Sequence, residues 1–256
     1  MFTLAITIGI YSYLLFFLGI IGLLYQPIVI GITILFFVAI FLVKRSVILN
    51  VMKNLKRSFA NTQDDKLYVV LLVFFLLQVV INFIGVLAPE LAFDALWYHL
   101  TLPKIWLGHH SIFFIPGGLL YYSAMPKLAE MLYIGALSFG TAVVAKSVHF
   151  SFGLLTCLAI YLFSRKFFTP FISLIAVVIF YANIVVAWES TTAYIDLVRA
   201  FFEILALWSF MNWATSPQPS PKRRGRVIEK WLLLSAVMIG FAITTKLLEN
   251  RGSNLI

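Results

Sequence analysis

The sequence predicts an all-α fold: a polytopic bundle of about seven transmembrane helices, with a long outer loop carrying juxtamembrane helices. Three observations predict it. Of 256 residues, 62% are hydrophobic and only 11% charged, whereas soluble domains hold about 25% charged and about 45–50% apolar residues. The mean hydropathy is +1.01, so much of the surface needs lipid as its solvent. The basic residues gather in the connectors between apolar runs, and the net charge of +9 therefore reads as membrane topology before it reads as a ligand. Composition excludes a soluble globular domain, a disordered chain and a fibrous repeat, and the placement of charge argues against nucleic acid as a partner.

Residues 1–43 form an extra N-terminal transmembrane hairpin in this reading. As one helix Phe2–Val43 would extend about 60 Å, twice the hydrocarbon core, so it folds back once, and Gln26–Pro27 is the expected corner. Residues 44–66 are a basic linker, Lys44, Arg45, Lys53, Lys56, Arg57 and Lys66 against Asp64 and Asp65, expected in the cytoplasm. Residues 67–246 are the main membrane domain. Its apolar runs are Leu67–Leu87, Ser147–Ser164, Phe171–Trp188, Leu197–Trp213 and Trp231–Thr245. Ser216–Arg226, with three prolines and a basic cluster, reads as a flexible linker. Residues 247–256 carry no pattern and are expected to be an unstructured tail. The lone Cys157 excludes an intramolecular disulfide.

Lys127–Phe139 decides the topology. Its apolar part is about a dozen residues, under about 20 Å of a core about 30 Å thick, and it contains Glu130. If it does not cross, the connectors 44–66, 165–170 and 214–230 share one side and hold 13 of the 19 Lys and Arg residues. If it crosses, that asymmetry largely vanishes. It is therefore read as a peripheral or re-entrant helix. The N-terminus is then cytoplasmic, and Ala88–Lys146 and Glu189–Asp196 both face outward.

Those outer segments hold the candidates for chemistry. Asp94 heads an expected helix, Ala95–Leu107, interrupted only by Pro103 and closed by Gly108. It is either a first-turn or capping acid or a general base at the membrane surface. Asp196 starts another helix on the same side, where the helix dipole alone would favour it. Arg199 and Glu203, one turn apart in an apolar run, read as a structural ion pair. His99 follows Asp94 by five residues, about 140° around an α-helix, so the two should not share a face. No histidine pair has zinc-motif spacing, and His109–His110 reads as a polar loop. A phosphate-binding glycine loop and a serine-histidine-acid motif are both missing from the sequence.

The stretch Phe93-Asp94-Ala95-Leu96-Trp97-Tyr98-His99-Leu100-Thr101-Leu102-Pro103-Lys104 resembles the first outer loop of the GT-C class of polytopic glycosyltransferases. The branch it is most similar to contains bacterial relatives of protein O-mannosyltransferases and lipid A aminoarabinose transferases. Weaker similarities follow in order at Pro126–Tyr133, Ala145–Phe150, Tyr194–Leu197 and Gly240–Ala242, so the resemblance covers about residues 67–246. It implies an enzyme of the bacterial inner (plasma) membrane, moving a sugar from a polyprenyl-phosphate donor to a glycan, lipid or protein acceptor on the outer face. It further implies Asp94 as catalytic base, Asp196 as a second acid at the same site, and Lys127, Lys246 and then Lys104 as donor-phosphate ligands. His99 and Glu130 are further candidates for that outer site. No cofactor is certain, and a divalent metal stays open. The hairpin 1–43 departs from the family, which also continues through more spans beyond residue 246. The expectation is thus an N-terminal part that is inactive alone. The alternatives are a noncatalytic membrane scaffold or inactive remnant and, less favoured because no inverted repeat is visible, a transporter component.

Overall fold

The computed structural model describes residues 1–41, 66–116, 118, 120–125, 127–215 and 224–246, with backbone alone at 121 and 224–229. Most of the basic linker 44–66, the tail 247–256 and most of Ser216–Arg226 lie outside these residues. All regular structure among the described residues is helical.

Helices α1 (Phe2–Ile20) and α2 (Gln26–Phe41) form the N-terminal hairpin. The corner is not at Pro27. The chain turns at Gly22, whose φ of 77° is left-handed, and Pro27 sits in the first turn of α2, where its missing N–H costs nothing. This corner docks on a later segment: the Leu24 N–H donates to the His110 carbonyl (2.9 Å) and the Ile112 N–H to that of Gly19 (2.9 Å).

Helix α3 (Lys66–Leu87) follows, and the buried Lys146 ammonium caps its C-terminus, donating to the Gly85 (3.1 Å) and Ala88 (2.8 Å) carbonyls. The expected helix Ala95–Leu107 is instead a π-helical turn, Ala95–His99, followed by α4 (Thr101–His109). Pro103 lies in the first turn of α4 and breaks nothing, because that N–H has no intrahelical partner anyway. Gly108 is inside α4. His110 provides the left-handed closing residue (φ 59°), with its ring stacked on Tyr25 at 4.1 Å.

Helix α5 (Leu128–Leu137) has ten residues, about 15 Å of rise, and all ten are buried. It is as short as the sequence expects, and it is packed inside the bundle. Helix α6 (Ala142–Ser164) is long. The run Phe171–Trp188 is not one helix. It is α7 (Pro170–Tyr181) and α8 (Ile184–Glu189), separated because Asn183 leaves the helix and accepts the Val185 N–H at 3.0 Å as an N-cap. Helices α9 (Asp196–Ala214) and α10 (Arg224–Thr245) form the largest pairing.

Four of these helices, α1, α3, α6 and α9, are long and apolar enough to cross a membrane; α2, α5, α7 and Lys230–Thr245 of α10 are shorter apolar helices. The bundle has two chemically distinct ends. At one, the Phe2 ring meets Trp208 (5.4 Å) and Trp231 (5.7 Å), while the Lys166 amine donates to Asn212 and lies 5.7 Å over Trp208. Along α1, Gly9 lets the Phe241 ring of α10 approach where a Cβ would collide. At the other end α3, the π turn, the N-termini of α5, α6 and α9, and the C-termini of α8 and α10 converge.

Candidate functional site

That convergence brings together residues far apart in sequence. The π turn comes first. Its Leu100 N–H reaches back five residues to the Ala95 carbonyl (2.9 Å), so position i+5 returns above i rather than about 140° away. The expected separation of Asp94 and His99 onto different faces therefore does not apply. His99 is buried, with its Nδ1 2.8 Å from Glu130 Oε1 of α5. Against the Glu130 carboxyl group, Nδ1 is the ring nitrogen held in the hydrogen bond. Glu130 Oε2 is buried without a hydrogen-bond partner among the described residues.

Asp94 is half-buried at the head of the turn. Tyr98 ties it to the rest. The Tyr98 ring stacks on Tyr122 at 4.0 Å, and burial together with the charges of Asp94, Glu130 and Asp196 holds its phenol protonated well above the ordinary range. All three carboxylates thus lie within electrostatic reach of one hydroxyl. Asp196, at the start of α9, accepts from the Lys246 amine at 2.8 Å. Burial pushes the Glu189 carboxyl up to about 7; Asp196 adds to that shift and Lys246 opposes it. Glu90 staples two loops, accepting from the Leu91 (3.0 Å) and Ala92 (2.9 Å) N–H groups through one oxygen and from Ala193 (2.8 Å) through the other. His149 fixes the α8–α9 connection from beneath. Its Nε2 accepts the Leu197 N–H (3.1 Å), so Nδ1 carries the proton and is shared between the Glu189 (3.0 Å) and Thr192 (2.9 Å) carbonyls. The Tyr133 hydroxyl donates to the Tyr194 carbonyl.

The predicted residues divide. Asp94, Asp196, His99, Glu130 and Lys246 come together. Lys127 lies beside them, with its amine donating to the Ser123 and Met125 (2.6 Å) carbonyls, 5.2 Å over the Trp106 ring. Burial lowers its pKa to about 8, against the pull of Glu130. It borders a cavity of about 560 Å³ between α1, α5 and the segment from Ile112 to Met125, lined chiefly by apolar and aromatic side chains such as Phe16, Phe114 and Met131. The Lys104 side chain is exposed on α4 with no ion pair or hydrogen bond among the described residues, so nothing ties it to the site. Arg199 Nε and Glu203 Oε1 are 2.6 Å apart, a local pair along α9. Among the described residues no group of three or more His, Cys, Asp or Glu side chains forms a metal-binding cluster.

Sequence reasoning did not select Tyr98, Tyr194, Glu90, Glu189 or His149 as site residues. An ionisable residue inside an apolar run was a usable signal for Glu189 and His149. Nothing separated the two tyrosines from an ordinary interfacial belt. No family model, curated protein or solved structure matches the chain.

Proposed function

We propose that the chain is an integral membrane glycosyltransferase of the GT-C kind, transferring a sugar from a polyprenyl-phosphate donor to an acceptor hydroxyl on the outer face of a bacterial inner membrane. The observation that carries the reading is the gathering at one end of the bundle of Asp94, of Glu130 against His99 (2.8 Å) and of Asp196 against Lys246 (2.8 Å), next to an apolar cavity bordered by an ammonium, Lys127, whose hydrogen bonds go to neutral carbonyls. Asp94 takes the proton as the acceptor's O–H bond breaks. The freed oxygen bonds to the sugar's anomeric carbon, the bond from that carbon to the phosphate oxygen breaks, and its electron pair leaves with the lipid phosphate. Lys127 stabilises the departing charge. Lys246 is already paired with Asp196, which makes Lys127 the better phosphate ligand. The cytoplasmic N-terminus rests on the charge asymmetry, 13 of 19 basic residues in three connectors.

The test is sugar transfer by the reconstituted chain across a panel of polyprenyl-phosphate sugars. Asp94→Asn keeps size and removes basicity, and the expected loss is about 10²–10⁴-fold. Arg199→Gln, at matched protein levels, should stay within a few-fold. An Asp94→Asn rate close to wild type returns Asp94 to a helix-capping role, and no turnover with any donor, by the chain alone or joined to the later spans of a GT-C enzyme, favours the noncatalytic scaffold.

A further inference from the structure

A second cleft opens at the same end of the bundle. It lies between residues 88–93 and the segment from Trp188 to Tyr194, encloses about 590 Å³, and shares no lining residue with the cavity that Lys127 borders. Its aromatic walls are Trp188, 51% exposed, and Tyr194, the two rings perpendicular at 5.2 Å. Lys146 supplies the charge. It is 2% exposed, and two of its three N–H groups go to the Gly85 and Ala88 carbonyls, which leaves one donor. Thr191 donates its hydroxyl proton to the Trp188 carbonyl (2.8 Å) and keeps its lone pairs for accepting. The Trp188 indole N–H has no partner among the described residues. Glu90, also in the wall, is committed through both oxygens to backbone N–H groups.

This combination selects a ligand chemistry. A lipid chain would meet a buried ammonium with one donor left over, which it cannot satisfy. A peptide added as a strand would need a sheet edge to pair with, and no strand is present among the described residues. A sugar ring presents an apolar C–H face and a rim of hydroxyls that both donate and accept. Aromatic walls beside separate donors and acceptors match it. The position is apt as well: the Tyr194 phenol lies against the Asp94 backbone, and its ring centroid is 6.0 Å from that of His99.

We infer that this cleft, walled by Trp188, Tyr194, Thr191 and Lys146, seats a sugar ring of the acceptor, so that the acceptor is a carbohydrate, carried either on a free glycan or on a glycolipid headgroup. The word acceptor rests on the transferase reading; the binding of sugar does not. The test uses the full chain in lipid nanodiscs made without sugar-headed detergent. The probes are chitotetraose, maltotetraose, a glucosyl diacylglycerol in the disc and a threonine-containing peptide, read by saturation-transfer NMR for the soluble probes and by iodide quenching of tryptophan for the lipid. At least one sugar probe should bind. Trp188→Ala should weaken it by about tenfold, Trp188→Phe should keep most of the affinity, and Thr191→Val provides a second, milder reduction. Binding by a soluble oligosaccharide identifies a free glycan, and binding by the lipid alone identifies a headgroup. The inference is overturned if no sugar probe binds, if both Trp188→Ala and Thr191→Val bind as wild type does, or if only the peptide binds. Sugar binding with no transfer, by the chain alone or joined to the later spans of a GT-C enzyme, would sink the transferase and keep the cleft. Transfer to the peptide without sugar binding would do the reverse.

Discussion

Helices α3 and α5 are both strongly apolar, yet they occupy opposite surroundings. α3 has 22 residues and is only 11% buried over its apolar window, whereas all ten residues of α5 are inside the bundle. In water the more apolar helix goes to the core. In lipid that rule lapses, because a hydrocarbon tail is as good a neighbour as a leucine. The two differ in length as well. At about 15 Å, α5 is half as long as a hydrocarbon core is thick, so within a bilayer its terminal carbonyls need protein partners. Gln26 donates to the Ser138 carbonyl (2.8 Å), just past the helix's last residue. A helix enclosed in this way can carry Lys127 and Glu130 at its head, where a lipid-facing helix could not.

Four experiments bear on this contrast. The largest effect is all-or-none. If α5 does not cross, single cysteines replacing Lys166 and Glu189 in a Cys157→Ala background face opposite sides, and an impermeant thiol reagent applied outside labels only position 189. Labelling at 166 from outside would break the half-length reading of α5. Next, Ile134→Ala in α5, at 0% exposure, should cost about 2–5 kcal/mol, while Ile84→Ala in α3, at 63%, should cost under about 1 kcal/mol, compared by thermal unfolding in nanodiscs. Equal losses would mean that α3 is packed against protein as tightly as α5.

The third concerns the charge at the head of α5. Lys127 is protonated below about pH 8, so the donor KM should be flat below neutrality and climb above pH 8. Lys127→Arg should keep it flat to about pH 9. Because folding lowers this lysine's pKa, the unfolded chain binds more protons between about pH 8 and 10.5, and this group's contribution to stability rises with pH across that window. The smallest effect belongs to Glu189. Its folded pKa is raised, so the folded chain holds more protons between about pH 4.5 and 7, and stability from this group falls as pH climbs through that range. Glu189→Gln should leave the Tm unchanged at pH 4 and raise it modestly at pH 8. A Tm lowered at pH 8 would show that the attraction to Lys246 outweighs burial.

Membrane character was legible because it is compositional, and the apolar runs marked most helices within a few residues. The Arg199–Glu203 pair was legible because one helical turn is a local relation. Proline misled at Pro27, since the residue that ends one helix is equally at home in the first turn of the next. Asn183 carried its own signal, a capping side chain within an apolar run, that the run's length concealed. The contact between His99 and Glu130 spans 31 residues, and no local pattern encodes it. That Asp94 and Asp196 face one tyrosine depends on how α9 stands beside the π turn, and only a resemblance to other chains hinted at it.

The turn at Ala95–His99 holds five residues where an α-helical turn holds about four. Arithmetically it is a one-residue insertion that has not been pushed out into a loop. Its geometry matters more than its identity: the wider turn absorbs the extra residue, which in a plain α-helix would rotate everything upstream by about 100° relative to α4. The aspartate would then point elsewhere although every residue type remained. The wide turn thus keeps the chain before it in phase with the helix after it, one residue longer than an α-helix would allow.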